Sequence, residues 1–236
     1  MDSWDLRNFR QDLSKFLEIV DNHQIGDFRP LHILLGKMDS LTSFKYELKD
    51  IIFHLKKRIS GTMPETLNKY KITFDNTINL NNKDCSINDN INKYLFELNI
   101  DSYASIDGVD GKPYKSCWHL DKHEESSVSK YTHPTYHFHF GGNYIEGLNT
   151  GDISIFSCPR LPHPPMDIFL GFHFIISNFY SSKEYPFVNE LKGNDDYRLI
   201  IKRAQKRLWV PYFKAFDSKN THQDFTMNKI FPLYLS

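Results

Sequence analysis

Apolar positions recur at three- and four-residue steps through the first part of the chain. Trp4, Leu6, Phe9, Leu13, Phe16, Leu17 and Val20 form one run, with Ser3 placed to cap it. After a break at Gly26 and Pro30, the run Leu31, Leu34, Leu35, Met38, Leu41, Phe44, Leu48, Ile51, Ile52 and Leu55 continues until Gly61 and Pro64. The spacing predicts two amphipathic helices between residue 3 and about residue 60, paired as an antiparallel hairpin. Such a pair would cap a sheet or meet a partner protein or a second copy of the chain. His23, His32 and His54 are expected here as ordinary surface or packed residues.

Residues 74–93 are rich in Asn and Asp and read as a linker or exposed loop, because these side chains satisfy the backbone locally and weaken regular structure. From Tyr94 the period becomes two. Tyr94, Phe96, Leu98 and Ile100 alternate with Leu95, Glu97, Asn99 and Asp101, as in a half-buried strand. A turn cluster from Asp107 to Pro113 leads into a second strand, Cys117–His123. A third is expected over His133–Phe140, closed by Gly141 and Gly142, and a fourth over Ile153–Cys158. Met166 to Tyr180 is apolar nearly all round and suits a buried helix. Tyr197 to Trp209 reads as a last amphipathic helix, ending before Pro211.

The expected class is α+β: an N-terminal helical hairpin, a mainly antiparallel sheet and C-terminal helices packed on it. By sequence the chain divides into a helical region (1–73), the Asn-rich segment (74–93) and an α+β region (94–236).

Composition narrows the function classes. Of 236 residues 40% are apolar and 25% charged, as in soluble globular proteins, and the formal net charge is zero, so a polyanionic partner would need a local patch. Cys85, Cys117 and Cys158 form no C-x-x-C pair, and their odd number fits a reducing compartment better than a disulfide framework. The opening Met-Asp-Ser-Trp-Asp-Leu lacks the basic and apolar regions of a secretory signal. Ile168–Ile176 is far short of the roughly 20 residues that span a bilayer. A cytoplasmic protein without a membrane partner is expected.

Seven of the eleven histidines lie between His119 and His173. Strand alternation puts Cys117, His119, Asp121 and His123 on one face, with Trp118 and Leu120 on the other. His133, His137 and His139 likewise oppose Tyr136, Phe138 and Phe140. Two segments that turn imidazoles one way and rings the other predict a sheet with an apolar back and a chemically equipped front.

Histidine and aspartate are standard ligands of zinc and non-haem iron. Strand positions two apart are separated by about 6.6 Å and four apart by about 13 Å, which limits the sets one ion can use. His119 with Asp121, completed by His139, His137 or His163, is the expected set, for zinc, manganese or iron. Without a metal, paired histidines could serve as base and acid in RNA transesterification, with Asp121 fixing a tautomer and Arg160 steadying an oxyanion.

His119-x-Asp121, Gly141-Gly142, Gly151-Asp152-Ile-Ser-Ile-Phe156 and His163 loosely resemble the motif order of iron(II)/2-oxoglutarate oxygenases. The resemblance implies iron held by His119, Asp121 and His163. It covers about 45 residues and departs from that family after His163, where no Arg follows until Arg198 to anchor the oxoglutarate carboxylate. His137-x-His139 with Gly151-Asp152 and His163 resembles the cupin pattern, but only about a dozen residues separate its halves.

Pro159-Arg-Leu-Pro-His-Pro-Pro165 is stiff, since each proline fixes its own φ and restricts the preceding residue. It reads either as a loop presenting Arg160 and His163 or as a rigid connector. In the last helix Arg198, Lys202, Arg203, Lys206 and Arg207 share half the circumference, with Trp209 close by, which is an expected RNA-binding stripe or an ordinary solvated face. The sequence-based expectation is a small hydrolase acting on phosphodiesters, ribonuclease-like, with His119, Asp121, His137, His139, Arg160 and His163 as its working set. The alternatives are an iron-dependent oxygenase and a non-enzymatic metal- or ligand-binding sensor.

Overall fold

In the computed structural model, which describes residues 4–80, 89–123, 132–149, 160–216 and 226–233, the first apolar repeat forms helix α1 (Leu6–Val20). Its cap is Asp5, whose side chain accepts from the Asn8 N–H at 2.8 Å; Ser3 lies outside the described residues. Phe9, Leu13, Phe16, Leu17 and Val20 are all buried, so the apolar stripe of α1 is covered within the chain, where α1 packs on the later helices Arg29–Lys37 and Asp195–Phe213.

The second expected helix is much shorter than the apolar run. Helix α2 covers only Arg29–Lys37, and Lys45–Leu55 is a strand. A β-bulge explains the difference. Leu48 faces Asn76 and Ile51 faces Phe74, so one extra residue interrupts the register. Asp50 takes a left-handed φ of 59° there and donates its N–H to Asp75 Oδ1 at 2.8 Å. The buried positions are Phe44, Tyr46 and Leu48, then Ile51, Phe53 and Leu55. The bulge thus creates a three-residue step inside a period-two strand, and that step resembles a helical repeat.

The strands in chain order are β1 (Gly26–Asp27), β2 (Lys45–Leu55), β3 (Lys69–Leu80), β4 (Ile91–Tyr103), β5 (Ser105–Ile106), β6 (Val109–Asp110), β7 (Tyr114–Lys122), β8 (Tyr136–Phe140) and β9 (Leu161–Pro162). Among the described residues, seven of them form one antiparallel sheet in the order β1-β2-β3-β4-β7-β8-β9, while β5 and β6 pair in the turn between β4 and β7. The sheet therefore runs across the division expected at residues 74–93. The ends of that segment belong to β3 and β4, and 81–88 lie outside the described residues. The expected fourth strand, Ile153–Cys158, also lies outside them. Inside the proline-rich segment, Leu161 and Pro162 form a short edge strand, a place where proline's missing N–H is tolerated.

Helix α3 (Ile168–Phe179) is the expected buried helix, capped by Asp167, which accepts from the N–H groups of Phe169 and Leu170. Helices α4 (Phe187–Gly193), α5 (Asp195–Phe213) and the short α6 (Met227–Ile230) follow, with α5 running through Pro211 rather than ending before it. One sheet face, carrying Phe53, Phe74, Phe96 and Phe138, packs on α3. Gly171 makes this contact close, since a Cβ there would sit 2.4 Å from the Phe74 ring. Rings from α1 close the other side of α3, with Phe9–Phe169 at 5.0 Å and Phe16–Phe172 at 4.9 Å between centroids. The architecture is α+β, with helices on one sheet face. Among the described residues no helix is long and apolar enough to cross a membrane.

Candidate metal centre

The other sheet face carries the histidines, and its register follows from the pairing of β4, β7 and β8. Glu97 faces His119 and Asn99 faces Cys117 across β4 and β7. His119 faces His139 and Asp121 faces His137 across β7 and β8. Residues directly opposite one another share a face, so these seven side chains form one continuous polar surface. The alternate positions Phe96, Leu98, Leu120 and Phe138 are buried on the helical side.

Asp121, His137 and His139 place ligand atoms within 4.8 Å of one another. His139 Nε2 lies 2.7 Å from Asp121 Oδ2, while His139 Nδ1 is buried without a hydrogen-bond partner. His137 Nδ1 donates to the Pro134 carbonyl at 3.2 Å, which fixes the tautomer and leaves the Nε2 lone pair available. Burial pushes the His137 imidazole down to about 4, so it is neutral at ordinary pH, the form that binds metals. Burial pushes the Asp121 carboxyl up, but the hydrogen bond from His139 and the neighbouring imidazoles outweigh it and hold the acid below its usual value. The donor set therefore suits a divalent cation. Both imidazoles have a nitrogen in reserve, and Asp121, with 39% of its side chain exposed, keeps the centre open to solvent.

A second group adjoins it. Glu97, Cys117 and His119 also offer ligand atoms within 4.8 Å of one another. Cys117 Sγ lies 3.0 Å from His119 Nε2 and 2.9 Å from Asn99 Oδ1, and Asn99 Nδ2 donates to Glu97 Oε1 at 2.6 Å. Glu97 Oε2 faces His119 Nδ1 at 3.5 Å. Burial and the carboxylates of Glu97 and Asp121 raise the Cys117 thiol to about 12, which makes it a poor nucleophile without a cation beside it. The turn after β8 covers this end. Gly142, at φ 114°, lies so close that a Cβ would fall 2.2 Å from His119 Nε2. The imidazoles form a row in which His123–His133, His133–His137, His137–His139 and His139–His119 have centroids 4.8, 5.2, 5.6 and 5.3 Å apart.

The placement differs from the sequence-based sets in several respects. His119 and Asp121 share a face as expected, but they fall into different ligand groups, each completed across the strands. His163 is on the opposite face: its ring packs on Phe138 at 5.6 Å, and its Nδ1 donates to the Pro164 carbonyl at 2.7 Å. The cause is the β8–β9 pairing, in which Leu161 faces Phe138 and the chain then runs toward Tyr136, from whose carbonyl the His163 N–H takes a bond. The oxygenase-like set of His119, Asp121 and His163 is therefore not assembled. Arg160 precedes Leu161 and so holds the next register position beyond that pair, toward His139; its Nε is buried without a partner. Gly151, Asp152, Cys158 and Pro159 lie outside the described residues.

The basic stripe of α5 is also revised. Arg207 is on the buried side of the helix, ion-paired with Asp167 and stacked over Trp4 at 5.1 Å. Arg203 is bound by Asp12 and Arg198 by Asp195. Trp209 donates its indole N–H to the Pro165 carbonyl at 3.1 Å and is half-buried against the core. Lys202 and Lys206 remain exposed, on the helical side of the molecule. Glu97 and Asn99, outside the predicted working set, belong to the site. Their signal was present in the period-two alternation of Tyr94–Asp101, which puts both on the polar face of the strand paired with Cys117–His123. No family model, no curated protein and no solved structure matches the chain.

Proposed function

We propose that the chain is a metal-dependent hydrolase in which Asp121, His137 and His139 hold one divalent transition metal, zinc, manganese or iron, with phosphodiesters as the substrate class. The observation that carries this reading is the convergence of the three ligand atoms within 4.8 Å on paired strands, with the second nitrogen of His137 already engaged by the Pro134 carbonyl. Three protein ligands leave positions open for water and substrate. A metal bound there would acidify its water and polarise a phosphoryl oxygen. Arg160, toward His139 in register and with an unpartnered buried Nε, is the cation best placed to meet a phosphoryl oxygen.

Hydrolysis is favoured over oxoglutarate-dependent oxygenation on one observation. Arg198, the first arginine after His163, is on the helical side and paired with Asp195, so the co-substrate carboxylate has no anchor there. The test is metal analysis of protein purified without a histidine tag, followed by cleavage assays on bis(p-nitrophenyl) phosphate and a mixed RNA pool. Stoichiometric zinc or manganese and a phosphodiesterase activity lost in His137→Ala are expected. Stoichiometric iron with no cleavage of either substrate would move the chain to the oxygenases. A metal-loaded protein inert in both assays would leave a binding or sensing role.

A further inference from the structure

The front face holds more donors than one ion can use. Beside Asp121, His137 and His139 stands the separate group Glu97, Cys117 and His119, and the boundary between them is the stacked pair His119–His139, 5.3 Å between centroids at an interplanar angle of 15°. The hydrogen bonding inside this second group is incomplete. If the Cys117 S–H donates to Asn99 Oδ1, then His119 Nε2–H donates to sulfur, and His119 Nδ1 is left facing the Glu97 carboxylate at 3.5 Å, acceptor against acceptor. If His119 Nδ1 carries the proton instead, the thiol has only one hydrogen for two neighbours, Asn99 and His119 Nε2. With a neutral imidazole, neither tautomer satisfies every contact; a cation bound by the thiolate and His119 Nε2 would leave the Nδ1–H to face Glu97, in exchange for the Cys117–Asn99 hydrogen bond.

We propose that Glu97, Cys117 and His119 form a second metal site, so that the face carries two ions side by side, this one bound through a thiolate. The proposal extends the reading of the first site and keeps its own test. A thiolate, an imidazole and a carboxylate make a softer donor set than one carboxylate with two imidazoles, so the second site should prefer zinc or another thiophilic divalent ion over manganese. Asn99 is the outer partner of Glu97, since its amide N–H donates to that carboxylate and would orient it. Gly142 closes the group from above, where any side chain would collide with His119.

The experiment is cobalt(II) titration of the full chain, read by bound stoichiometry and by the thiolate-to-cobalt charge-transfer band in the near ultraviolet. Two ions and a band are expected for wild type. Cys117→Ser should bind one ion and lose the band; His137→Ala should bind one ion and keep it. Glu97→Gln, a nearly isosteric change at a half-buried position, should weaken only the band-forming ion, which guards against a Cys117 variant that fails to fold. One ion and no band in wild type would overturn the second site and leave the first reading standing. A band that survives Cys117→Ser would assign it to Cys85 or Cys158 and overturn the proposal. One ion whose band disappears in Cys117→Ser and is unmoved in His137→Ala would uphold the second site and remove the first.

Discussion

His119 and His139 face each other across two antiparallel strands with their rings stacked, yet each belongs to a different group of ligand atoms. The pairing of β7 with β8 thereby joins two donor sets into one surface. A side-chain change on this face should alter metal binding, whereas one on the opposite face should alter only packing.

The first prediction uses that division. His139→Gln removes a donor of the first group, and the fall in metal affinity should exceed about 100-fold, the upper range for losing merely an outer-shell partner. His163→Gln lies on the Phe138 side, so affinity should be unchanged while the melting temperature falls modestly. Isothermal titration with zinc on both variants checks the pair. Equal losses would mean that the two histidines serve one site.

Much of this surface was legible in the sequence because the period of a strand is strict. The alternation Cys117, His119, Asp121 and His137, His139 needs only correct strand assignment to place all five residues on one face. Three features were hidden. The bulge at Asp50 converts the alternation of Phe44–Leu55 into a helix-like step, and no local residue announces it. The pairing of Leu161 with Phe138, which turns His163 to the far face, is a long-range choice that proline content does not reveal. Arg207 was assigned to solvent by its charge, whereas Asp167, forty residues earlier in the chain, holds it inside.

That buried pair carries the second prediction. Asp167 is both the cap of α3 and the partner of Arg207, with 0% and 5% side-chain exposure respectively. Arg207→Met leaves the carboxylate buried and unpaired, at an expected cost of about 3–5 kcal/mol. The double variant Asp167→Asn/Arg207→Met keeps a capping oxygen without the charge and should recover part of the loss. Lys202→Gln and Lys206→Gln should each stay within about 0.5 kcal/mol of wild type. Urea unfolding of the four variants beside wild type decides the matter, and an Arg207→Met variant as stable as wild type would refute the buried pair's role.

Two glycines separate site from core. Gly171→Ala would push a methyl to 2.4 Å from the Phe74 ring, and overpacking of this kind costs about 1–3 kcal/mol with no reason to disturb the front face. Gly142→Ala meets His119 Nε2 at 2.2 Å and is strained by its φ of 114°. It should displace His119 and weaken the ion that Cys117 helps to hold, in addition to lowering stability by a similar amount. Thermal melts combined with cobalt spectra distinguish them. A Gly171→Ala variant that loses the cobalt band, or a Gly142→Ala variant that keeps it in full, would contradict this division.

The last prediction concerns acid. Burial lowers the pKa of His137 to about 4, and burial also lowers that of His163 and His173, the latter with help from Lys192. All three are neutral in both folded and unfolded chains well above their unfolded value of about 6.5, so they exert no pH effect there. Below that value the unfolded chain takes up protons that the folded chain refuses. Stability must then fall as pH drops toward the folded pKa values, because the unfolded state binds more protons. Metal-free protein should therefore show a melting temperature that is level between about pH 7 and 8 and declines from there toward pH 5, before most carboxylates titrate. His173 isolates the effect from the metal face. It sits between α3 and α5, where its Nδ1 meets the Tyr197 hydroxyl at 3.0 Å, and Lys192, Arg198 and Lys202 are the charged groups around it. His173→Gln keeps a polar side chain but cannot titrate, so its melting curve should decline less steeply than that of wild type over the same interval. A wild-type profile that is flat from pH 7 to 5, or a variant slope equal to the wild-type slope, would show that His173 is not held neutral by the fold.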